Sequence, residues 1–372
     1  MPTSTVPASR SPSRAPSPSL RAPEVVRRGV LLINLGTPEA PEPGPIRRYL
    51  REFLSDDRVL DMNTLLRRVL LEAVILPRRP RAVAHAYRKV WTERGSPLLV
   101  HTTDLAHELE GLWDDGTRVA LAMRYGSPSI ADVLPDLASE VDHLDIVPLY
   151  PHATASTTGT AVAEVHAVMA ELWQPPPIRV VAPWYDHPAF LSALASIYRE
   201  PLETFAPDHV LFSYHGIPVR HLERSAPESP CGGGSHSGDS DSGESVCCLR
   251  WEAARGGCYR SQCVHTSVGL AEALTLPAER WSTAFQSRFG RDPWILPECE
   301  AVIGRLAERG VRRLAVACPG FAADCLETIE EIGIRARKVF LEAGGDQFML
   351  LPCANSDPVW VEALASLVRP DS

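Results

Sequence analysis

The sequence predicts an α/β fold with a doubly wound parallel sheet, and three observations carry that expectation. Continuous apolar runs of strand length recur along the chain, amphipathic segments of helical period separate them, and most of the runs stop at Gly, Pro, His or Tyr. Runs without polar alternation suit strands covered on both faces, which belong to parallel sheets joined by helices. At 372 residues the chain is long for one domain and suits two.

Residues 1–28 hold six Pro, six Ser, five Arg and one acid, too little apolar surface to order themselves, so a disordered tail is expected. High Arg and Ser also suit an organelle transit peptide, but the prolines oppose the amphipathic helix such a peptide needs, and no apolar segment of a secretory signal is present. The first strand is GVLLINLG (29–36). The long helical stretch IRRYLREFLSDDRVLDMNTLLRRVLLEAVILPRRP (46–80) follows it. Its apolar stripes (Leu50, Phe53 and Leu54, then Leu65, Leu66, Val69, Leu70, Ala73, Val74 and Leu76) are broken by Arg67–Arg68 and Arg78–Arg79. One reading packs these helices on the core; the other rests them on an anionic membrane surface.

Further strands are expected at RVALAMRYG (118–126), LDIVPLYP (144–151), IRVVAPW (178–184), HVLFSYHGIP (209–218) and RRLAVACPGF (312–321), with helices such as IADVLPDLASEV (130–141) and AEVHAVMAEL (163–172) between them. Open α/β sheets place ligands at the carboxyl ends of their strands. No GxGxxG or GxxxxGK[ST] follows any strand, so a nucleotide site lacks its phosphate cradle. The tail carries +4 and the whole chain −9, so the remainder stands at −13, which opposes general nucleic-acid binding. No apolar run reaches the roughly 18 residues of a membrane span.

Two strand ends carry chemistry. In FSYHGIP (212–218), Gly216 and Pro218 let the backbone turn away from His215, whose imidazole can accept a proton near neutral pH or ligate a borderline metal. The plainer reading of a strand-end His is a hydrogen-bonded structural residue. In CPGFAADCLETIEEI (318–332) a helix is expected to begin with Asp324, followed by Glu327, Glu330 and Glu331. Asp324, Glu327 and Glu331 at i, i+3 and i+7 would share one helix face. A single acid there would answer the helix dipole, but three repel one another unless a cation sits among them, which suits a path for a divalent metal or for protons.

Nine cysteines in a chain of cytosolic character do not suit a disulfide framework. Cys299, Cys318, Cys325 and Cys353 are dispersed and read as small buried hydrophobes. The others (Cys231, Cys247, Cys248, Cys258 and Cys263) crowd a Gly/Ser/Asp-rich stretch with the spacing C-x15-C-C-x9-C-x4-C. Four thiolates suit structural zinc, although paired CxxC knuckles are missing; they also suit a 2Fe–2S cluster, which tolerates loose spacing.

INLGTPE (33–39), YRKVW and GSPL (87–98), MRYGSPSI (123–130), YPHATASTTGT (150–160), FSYHGIP, QSRFG with PW (286–294) and the CPGF helix stand in one collinear order from residue 29 to the C-terminus. Together they resemble ferrochelatase, which inserts Fe2+ into a porphyrin to make haem. The resemblance implies two Rossmann-like doubly wound domains, with four-or-more-stranded parallel sheets facing a central porphyrin cleft. They would span residues 29–165, with an active-site lip at about 47–80, and 166–355, with the helix at 356–372 packing back on the first. It places the family's histidine on His215 and its glutamate on Glu327, with Asp324 and Glu331 as relay. Leu35, Lys89, Arg124, Tyr125, Ser156, Thr157, Thr158, Gly159 and Trp294 match positions at the macrocycle or its propionates.

The resemblance further implies Fe2+ and protoporphyrin IX as substrates, cytoplasmic location, and a lip resting on the membrane surface. It also allows contact with the preceding haem-pathway enzyme. Residues 225–258 stand outside the pattern as an insertion that delivers Cys231, Cys247, Cys248 and Cys258, with Cys263 just beyond. Several ferrochelatases carry a 2Fe–2S cluster; here the inserted four are its expected ligands, Cys263 the alternate, and zinc the competing metal. Coproporphyrin III is the alternative substrate, although relatives that use it tend to carry Tyr where this chain has Leu35. A sirohydrochlorin cobalt chelatase fits less of the pattern, and a non-catalytic haem or iron carrier is the alternative outside enzymes.

Overall fold

The computed structural model describes residues 27–227, 246–249, 251–290 and 292–369. Nearly all of the expected N-terminal tail and about half of the insertion lie outside the described residues. Two parallel four-stranded sheets form the frame. In the first, β1 (Arg28–Thr37) lies between β2 (Arg118–Gly126) and β3 (His143–Pro148), with β4 (Ile178–Val180) beyond β3. In the second, β5 (His209–His215) lies between β6 (Trp281–Gln286) and β7 (Arg313–Ala317), with β8 (Gln347–Leu350) beyond β7.

Between β1 and β2 run α1 (Pro43–Ser55), α2 (Thr64–Leu70), a π-helical turn Leu71–Ile75, α3 (Leu76–Val90) and α4 (Pro97–Gly111). α5 (Ile130–Glu140) follows β2; a π-helical turn Ala155–Gly159 opens α6 (Thr160–Glu171) after β3. α7 (Pro188–Phe205) carries the chain to the second sheet. α8 (Val219–Ser225), α9 (Trp251–Arg255) and α10 (Tyr259–Ala273) separate β5 from β6, and α11 (Cys299–Glu308) precedes β7. A π-helical segment Glu327–Ala336 then runs into α12 (Arg337–Glu342), and α13 (Pro358–Val368) follows β8.

Alternate residues of each central strand face two different apolar layers, which explains the unbroken apolar runs. Leu31 and Ile33 meet Leu134 and Val165, whereas Val30 and Leu32 join a core shared with Phe212 and Tyr214 of β5. Leu211 faces the other way, towards Ile303 and Phe340. α13 packs on α7 and α4 and sends the fully buried Trp360 against Trp184 and Phe190, at ring-centroid distances of 5.0 and 5.7 Å. Neither β6 nor β8 was visible as an apolar run. In WSTAFQ two hydroxyls are spent on partners, Ser282 Oγ lying 2.8 Å from His209 Nε2 and Thr283 Oγ1 donating to Ser267, while β8 has only four residues.

The helical stretch after β1 splits its apolar surface. Ile46, Leu50, Leu54, Leu71, Ile75 and Tyr87 bury together with Tyr125, and Leu35, Leu326 and Ile329 pack against them. Leu65, Leu66 and Val69 stay outside, 70%, 64% and 56% exposed. In both sheets the connections diverge from a central pair, β1/β3 and β5/β7, and open α/β sheets hold ligands at the carboxyl ends of such pairs. Trp360→Ala should empty a fully buried aromatic site and lower unfolding free energy by about 3–5 kcal/mol in denaturant titrations.

Candidate active site

His215 is the last residue of β5, partly exposed while its neighbours on both sides are buried. Its Nδ1 lies 2.6 Å from the Gly216 carbonyl oxygen. A carbonyl only accepts, so Nδ1 carries a proton, and in the neutral ring Nε2 is the basic nitrogen. The Gly216 amide donates to the Gln286 carbonyl at 2.8 Å, and a Cβ on Gly216 would stand 2.9 Å from that oxygen and 3.1 Å from the Trp294 ring. Close backbone approach therefore explains the glycine. The Trp294 ring stands 6.4 Å from the imidazole, centroid to centroid.

The acids after β7 are arranged differently from the sequence expectation. The helix begins at Leu326, so Asp324 precedes it and shares no helix face with the glutamates. Its carboxylate is taken up locally: it accepts from Asn355 Nδ2 at 2.8 Å and from Thr328 Oγ1 at 3.0 Å, and Asn355 Oδ1 accepts the Asp324 amide. Asp324 therefore anchors the start of the segment to the loop before α13. Glu327 and Glu331 lie one turn apart on the π-helical segment, and Gln286 serves both, donating to the Glu327 carbonyl at 2.8 Å and to the Glu331 carboxylate at 3.3 Å. Ser287 and Arg335 also donate to Glu331, while the buried Glu330 turns to Lys89 at 3.1 Å and Arg335 at 2.7 Å. Burial, with the Glu331 charge next, raises the Glu327 carboxyl above the usual carboxylate range, and the nearby His215 partly offsets this. Among the described residues no group of three or more His, Cys, Asp or Glu side chains is gathered to hold a metal ion.

The first sheet supplies the facing groups. Leu35, Ser156, Thr157, Thr158 and Gly159 are all partly exposed, at the end of β1 and in the turn after β3. Thr154 and Thr157 cap that turn reciprocally, and Arg58 of the lip donates to the Gly159 carbonyl. Arg124 is held by Asp56 at 2.9 Å and Thr160 Oγ1 at 2.8 Å and lies over the Tyr125 ring. Tyr125 itself is only 1% exposed, its hydroxyl 2.9 Å from Asp56 and its ring edge-on to Phe53. Tyr125 thus supports Arg124 and Phe53, and Lys89 pairs with Glu330.

Side chains close the lip against the second sheet. Asp61, in the loop between α1 and α2, accepts from Arg220 Nε at 2.8 Å and Arg224 at 3.2 Å, with His221 3.0 Å away. Burial opposes ionisation of Asp61, yet these partners outweigh it and hold the carboxyl down at about 2. Arg79 of α3 lies 4.1 Å over the Phe289 ring. Gln286, Ser287, Asp61 and Arg220 went unassigned in the sequence; only QSRFG, among the matched motifs, pointed near them. Of the cysteines, Cys231 and the Cys247 side chain lie outside the described residues, whereas Cys248, Cys258 and Cys263 are buried.

The ferrochelatase family model matches residues 27–372. A ferrochelatase of Legionella pneumophila (strain Lens) is 40% identical over 344 residues, covering 92% of this chain and 99% of that one. The chain belongs to the ferrochelatase family. A ferrochelatase of Pseudomonas putida (strain F1) is 43% identical over 340 residues, covering 91% of this chain and 97% of its own. The solved structure of SirB from Bacillus subtilis with Fe3+ aligns with a TM-score of 0.50 at 9% identity, covering 92% of this chain and 94% of that one, and shares the fold alone. Ferrochelatases are lyases that insert iron into porphyrin, and Fe2+ is here a substrate. Because Asp324 is an anchor, Asp324→Asn should lower stability by about 1–3 kcal/mol in denaturant titrations through its lost charged hydrogen bonds. Glu331→Gln should reduce iron insertion more than it reduces stability.

Proposed function

We infer that the chain inserts Fe2+ into protoporphyrin IX to give protohaem, the last step of haem biosynthesis, with release of two protons. The observation that carries the mechanism is the placement of a partly exposed imidazole at the end of β5 near the Glu327 carboxyl, whose pKa burial raises, in the helical segment that follows β7 of the same sheet. A flat porphyrin points two N–H bonds inward and offers no open set of lone pairs. Binding it out of plane tilts the pyrroles and exposes nitrogen lone pairs at the expense of binding energy. His215 then accepts a pyrrole proton or holds the iron. Glu327, beside it and with Glu331 behind it, hands over the cation or carries protons away. Two N–H bonds break and bonds from nitrogen to iron form, so charge balances without a redox step.

Leu35, the turn at Ser156–Gly159 and Trp294 would line the macrocycle, and Arg124, already oriented by Asp56, would meet a propionate through its remaining donors. The apolar Leu35 favours protoporphyrin over coproporphyrin III. No described helix is long and apolar enough to cross a membrane. Met62, Leu65, Leu66, Val69 and Val74 are exposed on the lip beside Arg68 and Arg78, which supports a cytoplasmic protein whose lip rests on an anionic membrane surface and takes a poorly soluble substrate from it. Contact with the preceding haem-pathway enzyme would serve the same transfer.

We also propose that Cys231, Cys247, Cys248 and Cys258 hold a 2Fe–2S cluster, with Cys263 the alternate. The buried thiols of Cys248 and Cys258 fit such a group, and Ser261 Oγ ties the Cys248 carbonyl to α10 at 2.8 Å. The cluster would contribute folding free energy to the inserted segment and take no part in metal insertion. Cys263 lies beyond the inserted segment that delivers the other four, which favours its place as spare.

His215→Ala should abolish iron insertion while protoporphyrin IX binding, read by fluorescence, stays within a few-fold; retained turnover would remove the histidine from the mechanism. Purified protein should be brown, with visible absorption and about two irons per chain, as a cluster of this type requires; colourless protein with stoichiometric zinc would replace the cluster by a zinc site. Replacing Leu65 and Leu66 by Glu should reduce co-sedimentation with anionic phospholipid vesicles without unfolding the chain.

A further inference from the structure

α10 combines two properties that rarely coincide: it is buried along most of its length, and its buried residues are largely polar. Tyr259, Gln262, Thr266 and Ser267 all lie below a tenth exposed. Buried polar groups must be paired, so a helix of this kind is fixed by specific partners, where an apolar helix could slide within its groove. Those partners are the two strand-end regions of the active site. The Tyr259 hydroxyl donates to the His215 carbonyl at 2.8 Å, and Gln262 Oε1 accepts from the Ala153 amide at 2.9 Å, just before the Ser156–Gly159 turn. Thr266 Oγ1 lies 2.8 Å from His152 Nε2 and donates to the Tyr185 carbonyl at 2.6 Å, and Ser267 pairs with the Tyr214 hydroxyl at 2.9 Å.

The bond from Tyr259 is the one that reaches the candidate catalytic histidine. β5 ends at His215, and β7 pairs with β5 only as far as Phe212, so the His215 carbonyl has no partner in that ladder. Tyr259 is 6% exposed, its ring meets His152 edge-on at 6.0 Å, and the Cys263 thiol is a second partner within reach of its hydroxyl. We propose that Tyr259 is a positioning residue for metal insertion: its hydroxyl fixes the His215 backbone, and with it the imidazole, relative to the bound macrocycle. Through the same helix residues 251–258, which end at Cys258 immediately before Tyr259, are coupled to the active site. The inference rests on the role proposed for His215 and does not require the cluster.

The test is Tyr259→Phe in the full chain, which keeps the ring and removes only the hydroxyl. Iron insertion into protoporphyrin IX should show kcat reduced about tenfold and the porphyrin KM unchanged within twofold. Hydrogen exchange should be faster in the peptide 212–218 and unchanged in β1 and β2. Unchanged kcat with unchanged exchange in 212–218 would overturn the proposal, as would equal losses in kcat and KM accompanied by faster exchange throughout. Should the variant not fold, the unsubstituted protein decides: protoporphyrin IX should slow exchange in residues 251–263 as well as in 212–218, because coupling is reciprocal. Slowing confined to 212–218 would overturn it. If the unsubstituted protein inserts no iron, the proposed function fails, while exchange in 212–218 of Tyr259→Phe against the parent still decides the positioning claim.

Discussion

A parallel strand that stops at the rim of a sheet leaves backbone donors and acceptors that its ladder no longer satisfies, and each must find a partner. At the end of β5 every one of these groups that bears on the imidazole is accounted for. The Gly216 amide goes to Gln286, the His215 carbonyl receives Tyr259, and the Gly216 carbonyl receives the His215 ring itself. The last bond puts a proton on Nδ1, and the first two fix the backbone that carries the ring. Gln286, from the adjacent β6, reaches across to the π-helical segment and so ties the histidine's strand to the glutamates.

The frame was legible because its physics is repetitive: strands covered on both faces need apolar runs, and β1, β2, β3, β5 and β7 each carry one. β6 was hidden because Ser282 and Thr283 spend hydroxyls on His209 and Ser267, which interrupts the apolar pattern while satisfying the interior. His215 and Glu327 could be picked out by motif, but the spacing argument that joined Asp324 to the glutamates assumed a regular α-helix from residue 324. The chain starts that helix two residues later and winds it wide, and Asn355, thirty-one positions away, takes the Asp324 carboxylate. Long-range partners of this sort leave no local trace. Tyr259, Gln286 and Asp61 escaped notice for the same reason, since each matters through a contact made only in the folded chain.

The two sheets share one apolar core on their inner side, while polar and cationic contacts join them at the rim. Asp61 with Arg220 and Arg224, and Arg79 over Phe289, link the lip to the loops of the second sheet. α10 links the first sheet's turn to the second sheet's strand end from below. The difference in chemistry suits the work each must do. Apolar burial is insensitive to small shifts and gives a stable base, whereas directional bonds set the angles on which insertion of a metal into a bent macrocycle depends.

An imidazole and a carboxyl group of the second sheet addressing one tetrapyrrole together are the centre of the site. A crystal structure of the full chain with protoporphyrin IX bound tests this most directly. It should show the macrocycle out of plane between the ends of β1 and β5, with His215 Nε2 and the Glu327 carboxyl both directed at its central nitrogens. A flat porphyrin bound elsewhere, or either side chain turned away from the macrocycle, would contradict it.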